Sequence, residues 1–86
     1  QYALEQNYPN PFNPVTKIAF SLPKQGNVTL KVYNMIGKEV ATLVNDFRGI
    51  GNYEVNFDGA NLSSGVYFYK LEADGFQEVK RMMLIK

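Results

Sequence analysis

The sequence predicts an all-β chain: a sandwich of about seven antiparallel strands. Two patterns carry this reading. Apolar and polar residues alternate with a period of two in run after run, and Val, Ile, Leu, Phe and Tyr hold the apolar positions. Gly, Pro, Asn, Asp and Ser punctuate these runs every ~8 to 12 residues, the spacing of short strands in a sandwich. Heptads are absent, and the nearest helix candidate, residues 45–49, is too short and too loop-like to hold one.

Taken in order, residues 2–6 are read as a short edge strand. Residues 7–14, NYPNPFNP, place three prolines and three asparagines around Tyr8 and Phe12. Each proline lacks an N–H and fixes φ, and each pre-proline residue is pushed towards extended backbone, so this stretch cannot be a central strand. It reads as a stiff lead-in from which Tyr8 and Phe12 project as anchors. In residues 16–22, Ile18, Phe20 and Leu22 face inward; in 27–33, Val28, Leu30 and Val32 do so, after the turn Pro23-Lys24-Gln25-Gly26. Asn34-Met35-Ile36-Gly37 is a tight reversal in which Gly37 supplies positive φ.

A strand over 39–44 follows, then a polar loop over 45–51, then a strand over 52–58 with Tyr53, Val55 and Phe57 towards the core. Residues 58–65 are a loop by composition, with Leu62 as a plug under the sandwich edge. Residues 66–73 form a strand, Asp74-Gly75 is the strongest two-residue hairpin signal, and 76–85 return antiparallel. The hallmark Cys and Trp of immunoglobulin domains are missing, so among immunoglobulin/fibronectin-like sandwiches the fibronectin-like or generic form fits better. One domain is expected: residues 1–14 as lead-in with the edge strand, 15–86 as the sandwich.

Composition narrows the function. Nine basic and eight acidic residues give a net charge of +1, which leaves no electrostatic footprint for nucleic acid. The longest apolar runs are far below the ~20 residues of a membrane helix. With neither Cys nor His, the usual nucleophile pairings, general base and zinc ligands are missing, so no catalytic residue, cofactor or metal is assigned. Asp46, Asp58 and Asp74 sit in separate loops without a calcium-type run, and Ser63 and Ser64 read as turn residues. The chain opens at Gln1 without a basic, apolar, small-residue leader and reads as a piece of something longer.

Two segments keep two readings. The 65–69 strand is apolar on both sides, either a core strand with hydroxyls at the rim or a docking face. Lys80, Arg81 and Lys86 are either edge protection against aggregation or a specific contact. A rival function is a carbohydrate-binding module that stacks sugars on Tyr33, Tyr53, Tyr67, Phe68 and Tyr69. Another is an immunoglobulin-like accessory module that supports a catalytic neighbour.

NYPNPFNP, then VYNMIGKEV at 32–40, LSSGVYFYKL at 62–71 and KRMMLIK at 80–86 closely resemble the type A C-terminal sorting domain of the type IX secretion system of Bacteroidetes and their relatives. The pattern is shared in part by an immunoglobulin-like module of a flagellar hook-capping protein. The resemblance implies a small sandwich that directs a folded N-terminal cargo across the outer membrane by recognition, passing through the periplasm to the cell surface or medium. The implied partners are the outer-membrane secretion machinery and a sortase-like peptidase that cuts upstream. The matching positions are Tyr8, Pro9, Asn10, Pro11 and Phe12 in the proline motif, Asn34 and Gly37 in the hairpin, Gly65 and Tyr67 in the glycine-tyrosine strand, and Lys80 and Lys86 in the basic end.

Overall fold

A computed structural model describes residues 1–86. Its seven strands are β1 (Ala3–Leu4), β2 (Val15–Leu22), β3 (Gly26–Tyr33), β4 (Glu39–Arg48), β5 (Gly51–Asp58), β6 (Gly65–Ala73) and β7 (Phe76–Leu84). They form a three-stranded sheet in the order β1-β2-β5 and a four-stranded sheet in the order β4-β3-β6-β7. Every pairing within the sheets is antiparallel. In a constant-type immunoglobulin domain the fourth strand joins the first sheet; here it lies at the edge of the second, beside β3. No helix is long and apolar enough to cross a membrane.

The expected alternation becomes the core. Ile18, Phe20 and Leu22 on β2 face Val28, Leu30 and Val32 on β3 and Tyr67, Tyr69 and Leu71 on β6, all buried. Each such side chain, once fully removed from water, contributes about 1.5–3 kcal/mol. On β5, Phe57 is buried, whereas Tyr53 and Val55 are partly exposed and pack against the core from the sheet edge, with Tyr53 stacked on Phe20 at 5.3 Å. Leu62 packs against the core as the expected plug.

The edge strand is shorter than the expected 2–6, other strand ends move by a residue, and β4 departs furthest from expectation. Residues 45–48, read as loop, continue β4 because Asn45, Asp46, Phe47 and Arg48 pair with Thr29, Val28, Asn27 and Gly26. An edge strand needs only one partner and little burial, so pairing overrides a polar local composition. The Asp74-Gly75 reversal is as expected, with φ of 47° and 85°, the two positive values that a type I′ turn requires.

The lead-in closes one side of the sandwich. β1 pairs with β2, and the residues on either side of it touch β7: the Tyr2 and Phe76 rings stack at 4.9 Å, and Gln6 Nε2 donates to the Arg81 carbonyl at 2.7 Å. Tyr8 bridges Lys17 of β2, and Phe12 forms a parallel bridge to Leu84 of β7.

Candidate functional site

The proline motif is anchored at both ends and free in its middle. The N–H groups of Tyr8 and Lys17 each donate to the other residue's carbonyl at 3.0 Å, while the Tyr8 ring is 81% exposed. Of the two residues expected to project as anchors, Phe12 is the buried one: its N–H donates to the Met83 carbonyl and its carbonyl accepts from the Ile85 N–H, both at 2.9 Å. Its ring meets Phe57 edge-on at 6.0 Å and lies beside Gly59, where a Cβ would come within 3.4 Å. An aromatic side chain next to an open strand edge gains more from the core than from water. Between these anchors Pro9, Asn10 and Pro11 are exposed, and Asn10 Oδ1 accepts from the Met83 N–H at 3.0 Å.

A buried polar network holds the motif from below. Asn7 Nδ2 donates to Thr16 Oγ1 at 3.0 Å and to the Pro9 carbonyl at 3.2 Å, and Thr16 Oγ1 donates to that carbonyl at 2.8 Å. The Asn7 N–H donates to the Tyr69 hydroxyl, which donates to the Glu5 carbonyl, both at 2.8 Å. Burial pushes the Tyr69 pKa up to about 12. No buried side-chain nitrogen or oxygen lacks a partner. Sequence reasoning did not single out Asn7, Thr16 or Tyr69 for this role. Thr16 shares the inward parity of Ile18, which was the available signal.

The hairpin residues act locally. Asn34 Oδ1 accepts from the Ile36 N–H at 3.1 Å and the Lys38 N–H at 2.9 Å, and the Gly37 N–H donates to the Asn34 carbonyl at 3.0 Å. Gly37 has φ of 84°, the positive value expected of it. This fixed turn holds Met35 and Ile36 out at 69% and 86% exposure. Gly65 begins β6 at φ of 151°, and the buried Tyr67 donates its hydroxyl to the Ser63 carbonyl at 2.7 Å.

At the basic end, Lys86 Nζ donates to the Ala60 carbonyl, and its N–H donates to Ser64 Oγ at 3.0 Å. Lys80 stands apart. It pairs across the sheet with Tyr69, on the inward side of β7, and its ammonium lies 3.4 Å from Glu78.

All the expected site residues except Lys80 therefore cluster around one end of the sandwich. Leu84 pairs with Gly65 and bridges Phe12, while Lys86 reaches Ser64 and Ala60. Asn34, Met35, Ser64, Gly65 and Tyr67 line one cleft of about 260 Å³. No three acidic side chains converge anywhere. The five aromatics considered for sugar stacking do not share a face: Tyr67 and Tyr69 are buried, and Tyr53 belongs to the other sheet.

The chain is thus a two-sheet antiparallel sandwich whose lead-in is tied to its last strand. Residues 6–86 match the family described as the secretion system C-terminal sorting domain, and the chain belongs to that family, the C-terminal sorting signals of type IX secretion. Among solved structures, PorZ is similar; it is an essential bacterial surface component of the type-IX secretion system of Porphyromonas gingivalis. The likeness has a TM-score of 0.62 at 19% identity and covers 99% of this chain but 11% of the PorZ chain, so it is a likeness of fold. None of the curated proteins compared matches.

Proposed function

We propose that the folded module is the address itself, read by outer-membrane secretion machinery during export of a larger cargo from the periplasm to the surface or medium. The convergence of the proline motif, the Asn34–Gly37 turn, the Gly65–Tyr67 segment and Lys86 on one end of the sandwich supports this reading. Residues that lie far apart in the chain present one surface only when the domain is folded. Binding there is recognition, and it needs no chemical step. Residues 1–14 act with 15–86 as one unit, because the lead-in supplies Phe12 and Asn7 to the interior. A sortase-like peptidase is the second expected partner, cutting ahead of β1 so that the module leaves intact.

The test fuses residues 1–86 behind a folded reporter in a host that carries the secretion system. Reporter on the cell surface or in the medium is the expected result. Reporter retained in the periplasm would overturn the reading and favour a module that only supports its neighbours.

A further inference from the structure

The outer face of the four-stranded sheet mixes aromatic and aliphatic side chains with cations, and its register is explicit. Tyr33, Phe68 and Arg81 form one row across β3, β6 and β7. Lys31, Lys70 and Val79 form the next, and Val66 with Met83 lies on the other side. Cross-strand partners share a face, and this one is opposite the buried Tyr67, Tyr69 and Leu71. Met35 leans over it from the turn, so that Met35, Tyr33, Phe68, Lys70 and Val79 line a cleft of about 290 Å³. Met35, Val79 and Met83 are 69%, 51% and 42% exposed. Exposed apolar side chains beside a cleft, rimmed by charge, are what a docking site requires.

The charges around the cleft are unbalanced in one direction. Lys31 is taken by Glu39 at 3.4 Å and Lys70 by Glu72 at 4.0 Å, with the Lys70 ammonium also 5.7 Å from the Tyr33 ring centre. Arg81, beside Phe68, and Lys38, at the foot of the turn, take part in none of the six ion pairs of the chain. Both carboxylates of this face are occupied, and the unpaired charge left over is cationic. The free Arg81 guanidinium is a planar fork suited to a carboxylate.

We propose that this face docks an acidic, apolar peptide segment of a protein in the secretion machinery. Aliphatic side chains fill the cleft between Met35 and Val79, one carboxylate meets Arg81, and a second meets Lys38. The proposal rests on the sorting role above and adds to the end of the sandwich named there a second gripped surface, joined to it at the Asn34–Gly37 turn.

The experiment is the reporter export assay, with thermal melting of each purified module. Lys38→Glu combined with Arg81→Glu is expected to cut export about tenfold at an unchanged Tm, and so is Met35→Ser combined with Val79→Ser. The charge-matched control, Lys24→Glu with Arg48→Glu, lies at the opposite end of the molecule, where Arg48 pairs with Gly26, and is expected to export normally. Normal export of both face variants, or equal loss in the control, overturns the proposal. If the charge-reversed variant melts early, Lys38→Gln with Arg81→Gln decides: export must still fall at an unchanged Tm, or the proposal fails. A wild-type fusion that stays in the periplasm defeats the sorting role itself, and this inference with it. Binding of the purified module to phosphatidylglycerol vesicles that is lost in the charge-reversed variant would assign the face to a membrane and also overturn it.

Discussion

The Asn7 N–H donates to the Tyr69 hydroxyl at 2.8 Å, joining the lead-in to a central strand of the four-stranded sheet across 62 positions of sequence. The same hydroxyl donates to the Glu5 carbonyl at 2.8 Å, so one phenol latches two backbone groups. Tyr69→Phe leaves both without that partner. The expected cost is about 1–3 kcal/mol, the penalty for unpaired buried polar groups. A urea denaturation series measures it as a lower midpoint at constant slope; an unchanged midpoint would show that the latch carries no weight.

The latch also makes stability depend on alkaline pH. Burial, the largest cause, raises the Tyr69 pKa from 10.0 to about 12 in the folded chain. The fold therefore holds the neutral phenol, and unfolding releases it to ionise. The Tyr69 contribution is complete below pH ~10 and is lost as pH rises towards the folded value of about 12. Wild-type stability is expected to fall more steeply over that window than that of Tyr69→Phe. Parallel slopes in paired denaturation curves would refute this.

Phe12 is the anchor by which the lead-in guards the outer edge of β7. Phe12→Ala removes a fully buried ring and is expected to cost about 3–5 kcal/mol, whereas Phe12→Leu keeps most of the volume and costs about 1.5 kcal/mol or less. The Ile85 amide donates to the Phe12 carbonyl. Its hydrogen exchange should accelerate in the Ala variant more than that of the Leu30 amide in the opposite part of the core. Equal acceleration would mean global destabilisation without release of the edge.

These contacts also mark how far local pattern carries. The periodicity of Ile18-Phe20-Leu22 and Val28-Leu30-Val32, and the Asp74-Gly75 turn, depend on neighbours within a few residues, and the strands follow from them. The β4 residues Asn45–Arg48 owe their strand to Gly26–Thr29, which no local reading contains. The motif residues were visible one block at a time. Their meeting depends on contacts such as Asn10 with Met83, 73 positions apart, which alternation does not encode. Phe12 shows the same gap: flanking prolines disclose stiffness, and only the position of the strand beside it decides whether a ring points in or out.

Gly59 is where that seam is tightest. Its N–H donates to the Pro14 carbonyl at 2.8 Å, and a Cβ there would stand 3.1 Å from Leu84 Cδ2 and 3.4 Å from Phe12 Cε2. Leu84 and Phe12 are each 1% exposed and have little room to yield. Gly59→Ala is therefore expected to destabilise by about 1–3 kcal/mol through overpacking. If thermal melting showed no loss, the contact between the loop and the C-terminal strand would be looser than the packing implies.

The two terminal lysines separate edge protection from recognition. Lys80 places a charge on the inward side of an edge strand, a device that discourages pairing with other chains. Lys86 ties the chain end to the Ala60 carbonyl and to Ser64. Deleting residues 80–86 is expected to abolish export, but it also removes Met82 and Leu84 from the core and so cannot isolate the charges. Lys80→Ala with Lys86→Ala keeps every core side chain and loses only partly exposed contacts, worth about 1 kcal/mol or less each. The expected outcome is a Tm within a few degrees of wild type and an export signal reduced about tenfold. Full export combined with new self-association in sedimentation would confine both lysines to guarding the edge.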